Sequence, residues 1–144
     1  MSTTEIDPQD LDAVVRGFPD GQPVLMVNLL RFRPRADYSR TALHAIEELA
    51  DVPGQEAYLT RYLPAFNRAM APHGTSQLLF AGAVAARVVG PPGADWDAIG
   101  VATYPSIQAF RDLIDDPVYV RTAAPHRLAA LADWQLFATT SLNG

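Results

Sequence analysis

The chain contains no cysteine. That one absence removes disulfides, thiolate nucleophiles and cysteine metal sites together. No apolar run approaches the ~20 residues that cross a bilayer, so no membrane partner is expected. The net charge is −5 with acidic and basic side chains interspersed. The basic stripe that phosphate backbones require is missing, which argues against nucleic acid as a partner. The opening Met-Ser-Thr-Thr-Glu-Ile-Asp has neither a positive region nor an apolar core and does not read as a signal peptide. A cytoplasmic protein is the simplest expectation.

Catalytic and metal motifs are equally scarce. The histidines His44, His73 and His126 stand far apart, with none at helical spacing from another, so no metal is expected. His44 and Glu48 form an isolated pair that reads as a salt bridge on a solvated helix face. There is no Gly-x-Ser-x-Gly elbow and no phosphate loop; the prolines of Gly90-Pro-Pro-Gly93 lack the N–H donors a phosphate needs. Dinucleotide and P-loop signatures are absent, so no cofactor is expected.

What is present describes one globular domain, residues 1–144, with 49% hydrophobic and 19% charged residues. Asp7 predicts an N-cap, Pro8 the first helical position and Gly17 the end of a first helix, with Ile6 stapled against Leu11. Pro23 to Pro34 is almost continuously apolar and predicts a strand over 23–33. Residues 34–53 read as an insertion with a short helix over 41–50. Leu59, Tyr62, Leu63, Phe66 and Met70 predict a helix over 55–72, kinked or opened at Pro64 and stopped by Gly74. A strand over 76–89 is apolar on both alternating faces, and Gly82 suggests a bulge within it. A third strand is predicted over 95–104. Ser106 then caps a helix that Asp115-Asp-Pro117 breaks. A second helical piece over 118–124, another turn or two at 126–132 after Pro125, and a strand over 134–140 complete the chain.

The order is βαββαβ behind an extra N-terminal helix, an α+β, ferredoxin-like pattern with an antiparallel sheet. Its helices cover only one sheet face, yet the strands are apolar on both. Such a face needs a cover, and a second copy of the sheet supplies one, so a homodimer is expected.

A distributed pattern runs through the chain: Asn28-Leu-Leu-Arg-Phe32, Gly54-Gln-Glu-Ala-Tyr58, His73-Gly74, Phe80-Ala81-Gly82, Trp96-Asp97, Tyr104-Pro105-Ser106, Asp116-Pro117 with Tyr119, and Pro125-His-Arg127. In these residues, their order and their spacing, the chain resembles the domain-of-unknown-function 1330 family. The resemblance implies a dimeric α/β barrel, two sheets closing on one another, with a pocket between sheet and helices. Members of the wider superfamily include enzymes that work without cofactors on small organic molecules, by isomerase, cyclase, lyase or oxygenase chemistry. Others bind haem through a helix histidine. Here His73 stands at a helix end, where Gly74 favours a helix C-terminal interaction instead.

The candidate site residues are polar groups on apolar elements. His126 follows the break at Pro125 and is the candidate acid or base, its imidazole kept neutral by Arg127. Arg127 would hold a carboxylate or enolate oxygen; the bland alternatives are that it pairs with a carboxylate and that His126 packs or caps. Asp133 would share a helix face with His126 if the turn holds. Asn28, mid-strand, is a candidate substrate donor, or it bonds a neighbouring loop or sheet edge. Tyr58 and Tyr62 are core filling or hydroxyls aimed into a cavity. Arg31 and Arg33 read as solvated strand ends, partners of Asp95 and Asp97, or an anion contact; Arg31 is kept among the substrate-binding candidates. Trp96 and Tyr104 read as core or interface anchors. Two functional classes stay open: a cofactor-independent enzyme acting on a small organic molecule by proton transfer, and a non-catalytic small-molecule-binding or structural or regulatory homodimer.

Overall fold

The computed structural model describes residues 4–44, 52–74, 76–93 and 95–142. Helix α1, Pro8–Gly17, begins where its cap chemistry places it, with the Asp7 carboxylate accepting from the Gln9 and Asp10 amides. It ends differently from expectation. Gly17 is an ordinary helical residue, and Phe18, in extended conformation, terminates the helix.

Strand β1, Val24–Phe32, is the second strand from one edge of a four-stranded antiparallel sheet ordered β2-β3-β1-β4. The others are β2 (Gln77–Ala83), β3 (Ala98–Tyr104) and β4 (Leu131–Thr139). This mixed α+β arrangement is compatible with the ferredoxin-like pattern. One face, carrying Val24, Met26, Tyr104, Leu136 and Ala138, packs against the helices. On the other face Leu25, Val27 and Leu29 lie beside Ile99, Val101 and Phe137, and Phe80 and Phe137 are 58% and 50% exposed.

Strand β2 is shorter than its apolar alternation predicts. Its partner β3 begins only at Ala98, so after the Val84 amide bonds the Asp97 carbonyl (2.9 Å) nothing remains to pair with. The bulge also falls elsewhere: the register shifts at Leu79, between Leu78 and Phe80, and the Phe80 ring lies over Gly82. The extra residue flips the alternation, so that Leu78, Ala81 and Ala83 share the helix side.

The segment after the insertion is four pieces run together: α2 (Gly54–Ala57), a π-helical turn (Tyr58–Tyr62), α3 (Leu63–Met70) and a 3₁₀ turn (Ala71–His73). Pro64 explains the π turn. It has no N–H to offer the Thr60 carbonyl, and the chain opens just before it, with the Leu63 amide reaching back to Tyr58. Helix α4 (Ile107–Asp115) is capped by Ser106 as expected. Then α5 (Pro117–Thr122) starts from an Asp116 cap, and α6 (Ala124–Ala130) takes Pro125 in its first turn, where no donor is lost. The helix expected over 41–50 falls largely outside the described residues, as does Glu48; Thr41 to His44 form a turn.

Candidate functional site

Between the helices and the sheet lies a cavity of about 600 Å³, within the range of small-molecule sites. Its floor is made of small residues: Gly100, Ala98 and Ala102 on the central strand β3, with Ala81 and Ala83 on the edge strand β2. Its roof is aromatic. Tyr58 and Tyr62 stack with centroids 4.9 Å apart, Tyr62 meets Phe66 at 5.9 Å, and Tyr119 meets both Tyr62 and Phe66 at 6.4 Å. Tyr58 and Tyr62, four residues apart across the π turn, both line the cavity. Large side chains over small ones leave the space, and β2, whose Leu78 is 59% exposed, leaves its mouth open.

Two hydrogen-bonded chains run along the wall, and the Arg127 guanidinium of one lies against the Trp134 ring of the other. The Arg127 Nη1 donates to the Tyr119 hydroxyl (2.5 Å), which lies 3.0 Å from the Tyr62 hydroxyl. Arg127 is 6% exposed, its guanidinium 4.8 Å from the Trp134 ring centre and 5.9 Å from that of Tyr119. Among the described residues it forms no ion pair, and its Nε has no hydrogen-bond partner. The Trp134 Nε1 donates to the Asn28 Oδ1 (2.9 Å), and the Asn28 amide donates to the Gly100 carbonyl (3.2 Å). Burial raises Tyr62, Tyr58 and Tyr104 well above the ordinary phenol value, so at neutral pH these hydroxyls are protonated donors.

The structure therefore brings together Asn28, Tyr58, Tyr62 and, behind the wall, Arg127. It does not bring His126 to them. His126 and Arg127 are consecutive on α6 and diverge by a helical step: Arg127 turns inward, while His126 is half-buried against Tyr38, whose hydroxyl lies 2.8 Å from its Nδ1. Tyr38 also accepts from Arg61 Nη1 (3.1 Å). The His126 pKa lies below its ordinary value because of burial first and then Arg61 and Arg68, not through Arg127 as the sequence suggested. Asp133 shares no helix face with His126; α6 has ended, and Asp133 sits on β4, 3.8 Å from Arg31.

Arg31 lies away from the cavity, at the sheet end. It donates to the Asp95 carbonyl from Nε (2.9 Å) and Nη2 (2.6 Å) and covers the Trp96 ring at 5.2 Å. The Asp95 carboxylate is instead bonded by Arg87 (2.5 Å). His73 bonds Asp116 (2.6 Å), joining the end of α3 to the cap of α5, and this bond first of all lowers the Asp116 carboxyl. His44 bonds the Thr41 carbonyl (3.0 Å). Among the described residues no group of three or more His, Asp or Glu is placed to hold a metal. No helix among them is long and apolar enough to cross a membrane.

Sequence reasoning gave no site role to Tyr119, Trp134 or Asp97, which the structure places on the cavity; Arg33, read as a solvated strand end, an aspartate partner or an anion contact, also lines it. Trp134 was findable: it alternates with Leu136 and Ala138 on the inward face of β4.

In its overall shape the chain is similar to a solved structure from Rhodopseudomonas palustris, the RPA0582 protein, described as of unknown function. Identity is 33%, the match covers 97% of this chain and 98% of that one, and the TM-score is 0.75. A methylated form of the RPA0582 protein matches at 33% identity over 97% of both chains, with a TM-score of 0.71. No protein-family model and no curated protein matches the chain.

Proposed function

We propose, of a chain that belongs to the same family as the Rhodopseudomonas palustris protein RPA0582, that it is a cofactor-independent enzyme. It binds a small, mostly apolar organic molecule between sheet and helices and acts on it by proton transfer and electrostatic positioning. The observation that carries this reading is the phenol pair Tyr62–Tyr119, held on a buried arginine at the wall of a mostly apolar cavity. Neutral phenols donate hydrogen bonds to an oxygen on which charge develops, and they do so most strongly where water is excluded. Asn28, fixed by Trp134 and Gly100, adds a second polar point. The chain has neither lysine nor cysteine, so Schiff-base and thiolate routes are closed.

The alternative, a non-catalytic small-molecule binder, is favoured by one observation: His126, whose unperturbed pKa would suit a proton shuttle, lies outside the cavity. In either case we read the chain as a cytoplasmic homodimer, with the resemblance to the domain-of-unknown-function 1330 family supporting a dimeric α/β barrel. The open apolar face of Leu25, Val27, Ile99, Val101 and Phe137 supports pairing through the sheet.

Gly100→Leu tests the cavity. A Cβ there meets nothing closer than the Asn28 Cβ at 4.0 Å, so the backbone accepts it and the side chain occupies the floor. Metabolites retained by the wild-type protein in native mass spectrometry are expected to be lost from the folded variant. Equal retention by both would place binding elsewhere.

A further inference from the structure

We infer that the Tyr62–Tyr119–Arg127 corner of the cavity is a receptor for one ionised oxygen, a carboxylate or phenolate carried by a mostly apolar molecule. This rests on the cavity being a ligand site and adds the chemistry of what enters it.

Counting protons and charges leads there. Guanidinium only donates, and it stays charged at any working pH. Arg127 gives one N–H to the Tyr119 oxygen. The two phenols own one proton each, and the bond between them uses only one of the two. The other has no acceptor: among the described residues no carboxylate or carbonyl bonds either hydroxyl. Among the described residues the corner thus holds one positive charge, one unused hydroxyl proton and no anion. Buried cations are otherwise matched by a carboxylate, because an unmatched one is costly. Here the Arg127 guanidinium lies against the Trp134 ring and at the hydroxyl end of Tyr119, both of which line the cavity, with its own Nε unpartnered.

A negative oxygen at the Tyr62–Tyr119 edge would accept the unused proton and lie one phenol away from the guanidinium. The acidic group in the lining, Asp97, does not serve this purpose. Its Oδ2 accepts from the Phe32 amide (2.8 Å), at the rim that Arg33 shares. The remaining lining near the corner, Met26, Phe66 and Leu136, suits a hydrocarbon or aromatic body.

Three probes and three proteins decide it. The probes are 2-naphthoate, 2-naphtholate offered above its pKa, and the neutral isostere 2-naphthamide. The proteins are the wild type, the double variant Tyr62→Phe/Tyr119→Phe, and Gly100→Leu, with binding read by isothermal titration. The double variant is needed because either phenol alone could supply the proton. It keeps both rings, so folding is checked independently by circular dichroism. Wild type is expected to prefer naphthoate to naphthamide by at least about tenfold, the size of one charge-assisted hydrogen bond. In the double variant that preference should vanish while naphthamide affinity stays. Binding of naphtholate but not naphthoate would assign the corner to phenolates, and the reverse to carboxylates. Equal wild-type affinity for naphthoate, naphtholate and naphthamide overturns the anion receptor and leaves the cavity reading standing. Binding by none of the probes, or binding that Gly100→Leu does not alter, overturns both.

Discussion

Gly54→Ala is expected to be among the most damaging single-methyl additions in this chain. Gly54 opens α2 and is buried against the exit of β1 and the end of α6. Its amide donates to the Arg33 carbonyl (3.0 Å), and the Arg33 amide donates to the Ala130 carbonyl (2.8 Å). A Cβ at Gly54 would stand 2.5 Å from the Ala130 oxygen, 2.8 Å from the Arg33 nitrogen, and closer still to the Arg33 oxygen. All three atoms are backbone, so no side chain can swing aside. Either α2 moves off as a unit or the hydrogen bonds break. Overpacking costs about 1–3 kcal/mol, and losing one of these backbone bonds adds about 1 kcal/mol. The sum is about 2–4 kcal/mol. At roughly 2–4 °C per kcal/mol for a chain of this size, Tm should fall by on the order of 5–15 °C in calorimetry. Gly17→Ala is the control: nothing lies within 4 Å of its Cβ, and alanine in a helix gains about 0.5–1 kcal/mol over glycine. A Gly54→Ala protein melting within about 2 °C of wild type would refute the close approach. Because α2 leads directly to Tyr58 and Tyr62, the same variant should also weaken whatever the cavity binds.

Acid should loosen the packing of the 34–44 segment through His126. Its folded pKa is below the ordinary 6.5, so the unfolded chain binds the proton first; the contribution is complete above 6.5 and lost as pH falls through that value towards the folded one. Thermal melts from pH 7.5 to 5 should show a steeper decline for wild type than for His126→Gln, and parallel curves would exclude His126 as the source. Ligand binding by His126→Gln should be normal, since the residue lies off the cavity. Light scattering should give twice the 15.6 kDa chain mass for wild type. Val101→Glu, on the open sheet face between Val27 and Phe80, should give the single-chain mass; a wild-type monomer would remove the barrel.

Local chemistry was the most legible part of the sequence. Asp7, Ser106 and Pro64 act through neighbours within one helical turn, and each does what its side chain dictates. The end of β2 was hidden because a strand stops where its partner stops, and Asp97 is fourteen residues away from Ala83 in the chain (97 − 83). The bulge at Leu79 was hidden for a related reason: alternation that is apolar on both faces carries no mark of a slipped register. At the cavity, the inward placement of Asn28, Tyr58 and Tyr62 was legible because periodic elements announce their inward faces. His126 and Arg127 were not separated because the rotation of α6 about its axis is set at the Ala123 joint (φ −112, ψ −52), a torsion that no residue type there specifies.

The π turn at Tyr58–Tyr62 makes the aromatic roof tolerant of a change in chain length. A π turn is an α turn with one residue too many, and it takes up that residue locally, so both flanking helices keep nearly the same phase. Deleting a single residue between Tyr58 and Tyr62 would let the helix close into regular winding at roughly 100° per residue. Tyr58 would then stand three residues from its aromatic neighbour instead of four, a spacing that still shares one helix face. Homologues that align with a one-residue gap just ahead of Pro64 should therefore keep the shape of this roof wherever they retain its aromatic residues.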